Sequence, residues 1–235
     1  MRIALIGYGK MGKAIEQVAI CKGHEIIYKI DKEDSIYSIK SDKIDVAIEF
    51  TQPSAAFDNL YFCLDNHIPV ISGTTGWLSK KVLIENLCLE KNGTFLYASN
   101  FSVGVNLFFE LNEWLASKMK SLHFTPHITE VHHTEKKDSP SGTAISLAEG
   151  LFKHSEKTDW INEKTTDHQK LSIISERKPN VPGIHSVCYT SELESIEITH
   201  KAHNRSVFAE SAIKVAEWIY TKKGIYTMSD FINHF

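Results

Sequence analysis

At 235 residues, with 42% hydrophobic and 23% charged side chains, the chain can bury one large core or two modest ones. A net charge of −3 gives no electrostatic case for nucleic acid or an anionic membrane, and no stretch approaches the ~20 apolar residues of a membrane span. The N-terminal apolar run is too short for a signal peptide, and Cys21, Cys63, Cys88 and Cys188 lack Cys-x-x-Cys spacing, so they read as reduced core thiols of a cytoplasmic protein.

Ile3 to Ile6 is a continuous apolar run, as expected for a strand buried on both faces of a parallel sheet. It leads into Gly7-Tyr8-Gly9-Lys10-Met11-Gly12, then into Ala14, Ile15, Val18 and Ala19 at helical spacing. A second strand over Glu25 to Ile30 ends at Asp31. Strand, Gly-x-Gly-x-x-Gly, helix, strand and acid together form a dinucleotide-binding fingerprint. Gly7 permits the tight turn, Gly9 lets the backbone approach a pyrophosphate, and Gly12 allows close packing. Asp31 can accept hydrogen bonds from both ribose hydroxyls. Lys32 either meets a 2′-phosphate or is a solvated turn lysine, so the pair predicts use of NADH and NADPH with NADH somewhat preferred.

Further strands are expected over Val46 to Phe50, Pro69 to Ser72 and Thr94 to Ala98, alternating with helices over Ser54 to Asn66 and Ser79 to Lys91. This βαβ alternation predicts a doubly wound parallel sheet with its ligand at the carboxyl ends of the strands. Phe50-Thr51-Gln52-Pro53, Gly73-Thr74-Thr75-Gly76 and Ala98-Ser99-Asn100-Phe101 would all fall on that edge; each alone also reads as ordinary turn chemistry. A long helix over Val103 to Met119 then leaves the first domain. Strands over Thr125 to His133, Leu171 to Glu176, Ser186 to Tyr189 and Ser195 to Ala202 follow, with a polar loop, Lys153 to Lys170, expected to be mobile or packed on a partner. An amphipathic helix over Val207 to Tyr220 returns the chain to the first sheet. The expected organisation is a discontinuous Rossmann-type α/β domain, 1–102 plus 206–235, with an inserted smaller α+β domain, 103–205, and junctions near Ser102 and Arg205.

The densest chemistry lies between Glu130 and Ala144. His132, His133, Lys136 and Asp138 precede Ser139-Pro140-Ser141-Gly142-Thr143, and Ile145, Leu147, Ala148 and Leu151 recur at helical spacing after it. The pattern predicts a helix start with Ser139 as N-cap and Pro140 in the first turn, placing the Gly142 and Thr143 amides at its anion-binding end. Taken alone, the stretch is equally compatible with a solvated turn. His123, His127, His132 and His133 lack the spacing of a catalytic zinc helix, and no metal is expected. The histidines at 24, 67, 154, 168, 185, 203 and 234 read as surface or packing residues, and Arg205 as orienting substrate or holding the junction.

Over its whole length the chain resembles the 4-hydroxy-tetrahydrodipicolinate reductase family. The resemblance rests on Gly7 to Gly12, Gly73 to Gly76, Asn100-Phe101-Ser102-Val103-Gly104-Val105-Asn106, the His-His-x-x-Lys-x-Asp-x-Pro-Ser-Gly-Thr-Ala run from His132 to Ala144, and Ile196 to Ala202 followed by Arg205. It implies that His132 donates and accepts a proton, that Lys136 is a second proton donor, and that His133, Gly142 and Thr143 bind substrate. It also implies cofactor contacts from Gly7, Tyr8, Gly9, Lys10, Met11, Gly12, Asp31, Lys32, Gly73, Thr74, Thr75, Ala98, Ser99, Asn100 and Phe101. A homotetramer built through the inserted domain is implied as well. The substrate implied is a cyclic imine bearing two carboxylates and a hydroxyl, reduced by NADH or NADPH with loss of water on the way to diaminopimelate and lysine. The glycine loop is shorter than in some members, and Glu49 stands where many have Asp. Two other readings are a reductase of another small imino acid or aldehyde, and a protein that senses NAD(H) without turnover.

Overall fold

The computed structural model describes residues 1–204 and 206–234; Arg205, read above as a junction and substrate-orienting residue, lies outside the described residues. In chain order come β1 (Arg2–Ile6), α1 (Lys10–Cys21), β2 (Glu25–Ile30), β3 (Val46–Glu49), α2 (Pro53–Asp65), β4 (Val70–Ser72), α3 (Lys81–Glu90), β5 (Thr94–Tyr97) and α4 (Val103–Met119). Then follow β6 (Thr125–His132), α5 (Gly142–Phe152), β7 (Asp159–Ile161), β8 (Lys170–Arg177), β9 (Gly183–Thr190) and β10 (Ser195–Ala202). The chain ends with α6 (Ser206–Ile219), β11 (Gly224–Tyr226) and α7 (Met228–Ile232). It divides into two compact units, Met1–Val103 with Ser206–Phe235 and Gly104–Arg205.

In the first unit, alternate residues of β1 enter different cores. Ile3 and Leu5 pack with Ile15 of α1 and Ala212 and Ile213 of α6, whereas Ala4 and Ile6 pack with Leu60 of α2 and Ile84 of α3. Helices on both faces leave Ile3 to Ile6 no polar side, which is why that run is unbroken apolar. The six strands run parallel in the order β11-β5-β4-β3-β1-β2. The chain leaves β1 for β2 on one side and returns to β3 on the other, so the switch point falls between β1 and β3. The doubly wound parallel sheet agrees with the sequence reading, but β11 and α7 are additions to it. β11 is only three residues long and owes its strand form to pairing with β5. α7 did carry a signal: the Thr227 hydroxyl accepts from the Asp230 N–H at 3.2 Å while the Asp230 carboxylate accepts from the Thr227 N–H at 2.7 Å, the pattern that Thr-x-x-Asp spells.

The second unit holds a mixed five-stranded sheet, β10-β9-β6-β8-β7, in which β6, β7, β8 and β10 run parallel and β9, between β10 and β6, runs antiparallel to them. Phe108 and Leu115 of α4 and Leu147 and Leu151 of α5 bury one face against Ile128, Leu171, Ile173 and Val187. The segment Lys153 to Lys170 departs from the expected loop, because β7 pairs with β8 as an edge strand. Trp160 packs on the core, and Lys157 Nζ donates to the His168 and Lys170 carbonyls, fixing the segment. Only Cys63 and Cys88 are core thiols; Cys21 is exposed at the end of α1 and Cys188 half-buried. Among the described residues no helix is long and apolar enough to cross a membrane.

Candidate functional site

Two sets of residues carry the chemistry, one in each unit. In the first, the loop after β1 is shaped by its glycines. Gly7 has φ +97°, and a Cβ there would stand 1.9 Å from the Phe50 carbonyl oxygen; one on Gly12 would stand 2.2 Å from the Gly7 oxygen. Gly12 therefore lets α1 sit against the loop itself. Gly9 is the N-cap of α1, makes no side-chain cap and faces open space. The helix start opens on a cavity of about 430 Å³ lined by Gly7, Gly9, Asp31, Lys32 and Thr51 and on a second of about 360 Å³ lined by Lys10, Met11, Gly73 and Thr75. Tyr8 is pinned beside them, its hydroxyl donating to Glu16, which also pairs with Lys29 at 2.5 Å. Asp31 accepts from the Lys32 N–H at 2.9 Å, and the Asp34 carboxylate accepts from the Asp31 N–H at 2.9 Å.

Glu49, which sequence reasoning noted only as a departure, organises these strand ends. Its side chain is fully buried and accepts from Ser72 Oγ at 2.6 Å, Thr74 Oγ1 at 2.8 Å, the Thr51 N–H at 3.1 Å and the Thr51 hydroxyl. One carboxylate thus ties the turn after β3 to the turn after β4. The Thr74 hydroxyl is committed to this network, and Thr74 lines the second cavity with Lys10, Met11, Gly73 and Thr75. Replacing Glu49 by alanine leaves several buried donors without an acceptor, so a loss of about 3 kcal/mol is expected, or roughly 6–12 °C in Tm by thermal unfolding. At the end of β5, Ala98 is buried, Ser99 exposed, Asn100 Oδ1 accepts from the Ser102 N–H at 2.9 Å, and Phe101 packs on Phe50 with ring centroids 5.4 Å apart.

In the second unit, strand register builds the site. Glu130 of β6 lies opposite His185 of β9 and Ser175 of β8, and His132 lies opposite Arg177 one rung on. Glu130 and His132, two residues apart, share the inward face of β6. The Glu130 carboxylate accepts from Ser175 Oγ at 2.8 Å and from the Ser141 N–H at 3.0 and 3.2 Å. Its Oε2 is 3.3 Å from His132 Nε2 and 3.6 Å from His185 Nε2, and the two Nε2 atoms are 3.1 Å apart. Burial pushes the Glu130 carboxyl up, but hydrogen bonds from His132, His185, Ser141 and Ser175 outweigh it and hold the group well below the usual carboxylate range. Burial lowers His185 below its ordinary value, against the hydrogen bond to Glu130, which raises it.

The start of α5 differs from the expected one. Ser141, not Ser139, is the N-cap, its Oγ accepting from the Ala144 N–H at 3.2 Å, because the Ser141 N–H is held by Glu130. Ser139 instead donates to Asn162 Oδ1 at 2.7 Å. Gly142 and Thr143 remain the first two residues of the helix, tethered to His132 through Ser141 and Glu130. Lys136 Nζ pairs with Asp138 at 2.8 Å, and Arg177 holds that segment by donating to the Lys136 and Asp138 carbonyls at 3.3 and 2.6 Å. His133 lines a cavity of about 370 Å³ with Pro179 and Asn180. His185, read from sequence as a surface or packing residue, is a packing one: it is 4% exposed, its ring meets that of His132, and its Nε2 lies 3.1 Å from Ser141 Oγ. Ser175 and Arg177 were missed; inward spacing from a fixed register would have pointed to all three.

Residues 1–101 match the family described as "Dihydrodipicolinate reductase, N-terminus", and residues 104–232 match "Dihydrodipicolinate reductase, C-terminus". A protein of Christiangramia forsetii named 4-hydroxy-tetrahydrodipicolinate reductase is 44% identical over 234 residues, covering 99% of this chain and 98% of that one. A protein of the same name from Thermosipho africanus is 37% identical, with 99% and 98% covered. A solved structure of a dipicolinate-bound dihydrodipicolinate reductase from Paenisporosarcina sp. TG-14 shares the fold with a TM-score of 0.79 at 22% identity, over 97% of both chains.

Proposed function

The chain belongs to the dihydrodipicolinate reductase family, and we infer from this that it reduces 4-hydroxy-tetrahydrodipicolinate with a nicotinamide cofactor in diaminopimelate and lysine synthesis. The cofactor supplies the hydride. An uncapped α1 start, open space over Gly9 and the adjoining cavities fit a dinucleotide pyrophosphate and ribose, held by Gly7 to Gly12, Asp31, Gly73 and Thr75. At the ribose end Asp31 and Asp34 set two carboxylates against the single ammonium of Lys32, which favours NADH over a 2′-phosphate. Asp31→Asn is expected to lower kcat/KM with NADH by about 10-fold or more and with NADPH by less, since a charge-assisted hydrogen bond is lost. Parallel initial-rate measurements with both cofactors check this, and equal losses would remove Asp31 from ribose selection.

The observation that carries the reading is Glu130, a single carboxylate that holds His132 and, through the Ser141 N–H, the start of α5. Gly142 and Thr143 at that start, with His133 and Lys136, supply N–H and cationic partners for the substrate's two carboxylates. His132 carries the proton that must follow hydride addition at ring carbon four. Lys136 polarises the acceptor, and Asp138 holds its ammonium until a substrate carboxylate competes for it. Lys136→Ala is expected to lower kcat by about 100-fold while NADH affinity stays unchanged. Steady-state rates with a cofactor titration test it; unchanged turnover would take Lys136 out of the mechanism. Titrating dipicolinate while following amide resonances should move Gly142 and Thr143, and shifts confined to other residues would refute the proposed substrate position. The assembly we assign is a homotetramer formed through the second unit's sheet, one face of which is covered by α4 and α5 and the other available to a second copy.

A further inference from the structure

We propose that Glu130, His132 and His185 form a binding site for one zinc-class divalent metal ion. Zinc bonds of about 2.0–2.2 Å to imidazole nitrogen and carboxylate oxygen place the corners of a tetrahedron about 3.3–3.6 Å apart. His132 Nε2, His185 Nε2 and Glu130 Oε2 are separated by 3.1, 3.3 and 3.6 Å, the spacing of one tetrahedral face. Among the described residues these three form the group of His, Cys, Asp and Glu side chains whose donor atoms converge closely enough to hold an ion, and all three are buried. Ser141 Oγ also lies 3.1 Å from His185 Nε2 and Arg177 Nη1 lies 3.7 Å from Glu130 Oε1, so the three groups share protons in the metal-free chain, and an ion would displace those on the Nε2 atoms.

The supporting contacts favour the ion. Ser175 Oγ and the Ser141 N–H fix the carboxylate from behind, as hydrogen-bonded outer groups fix metal-ligating carboxylates. Two histidines and one carboxylate make a donor set that holds zinc and leaves a fourth position to water. His185 Nδ1 is buried without a hydrogen-bond partner, so the ligand lacks the outer contact that raises its basicity, and affinity below that of a structural zinc site is expected. No spacing along the chain announces this set, because its third ligand comes from another strand, 53 residues beyond His132.

Binding is measured on the full chain freed of metal with a chelator, by zinc competition with a chromogenic chelator and by the visible spectrum of the cobalt(II) form. One ion per chain and tetrahedral cobalt bands are expected. Loss of an outer-group contact alone costs about 10–100-fold in affinity, so Ser175→Ala should weaken zinc about 10-fold and His185→Gln or Glu130→Gln by about 100-fold or more. His123→Gln, at a different cavity, should leave affinity unchanged. No saturable uptake by the wild-type chain, or His185→Gln retaining wild-type affinity, overturns the proposal, and the wild-type cobalt spectrum decides the matter should a variant fail to fold. Zinc on His132 Nε2 and proton transfer by that imidazole exclude one another, so the zinc-loaded chain would be inactive; the site itself does not rest on the reductase reading. Zinc uptake is read without turnover, and a chain that takes up zinc but reduces nothing in its absence would refute the reductase reading alone.

Discussion

His132→Gln is expected to lower kcat by about 10²–10⁴-fold, the range associated with a lost proton-transfer group. Glutamine keeps much of the imidazole's volume and a polar end near Glu130 but cannot take up and give back a proton near neutral pH. Cofactor affinity should be unchanged, since the glycine loop, Asp31 and Glu49 all belong to the other unit. Steady-state rates combined with NADH fluorescence titration separate the two quantities. A loss smaller than about 10-fold would mean that His132 orders the site without moving the proton.

The second large effect is expected at Glu130. Glu130→Ala leaves the Ser141 N–H, the Ser175 hydroxyl and the two buried imidazoles without their acceptor, so a loss of about 3–5 kcal/mol in stability is expected. Its sign with pH follows from the depressed carboxyl. A carboxylate held below its unfolded value stabilises the folded chain fully above that value, about 4.3, and progressively less as pH falls through the folded one. Wild type and variant should therefore differ most near neutral pH and converge in acid. Chemical denaturation at a series of pH values checks it; a difference that grows on acidification would contradict the assigned role.

How much of this was legible in the sequence depends on whether a feature is local. β1, the glycine loop, α1 and β2 are adjacent in the chain, and each imposes a local demand: apolar on both faces, positive φ at Gly7, then helical periodicity. Those elements were readable. The Pro-Ser-Gly-Thr helix start was readable to within two residues, and the miss has a non-local cause, since Glu130 captures the Ser141 N–H and moves the cap from Ser139. His185, Ser175 and Arg177 reach the site only through the register of β9 and β8 on β6, which no spacing along the chain encodes. Glu49 is the same case in the first unit: its four donors come from the turn after β3, the last residue of β4 and the turn after it. β11 was hidden by its length, whereas the Thr227 cap of α7 was in plain view.

The most direct measurement is a coupled assay in which aspartate semialdehyde and pyruvate are first condensed enzymatically and the oxidation of NADH and of NADPH is then followed. Rapid oxidation that requires both precursors and the condensing enzyme, faster with NADH, is the predicted result. Oxidation with the aldehyde alone, or binding of NADH with no oxidation under any of these conditions, would contradict it.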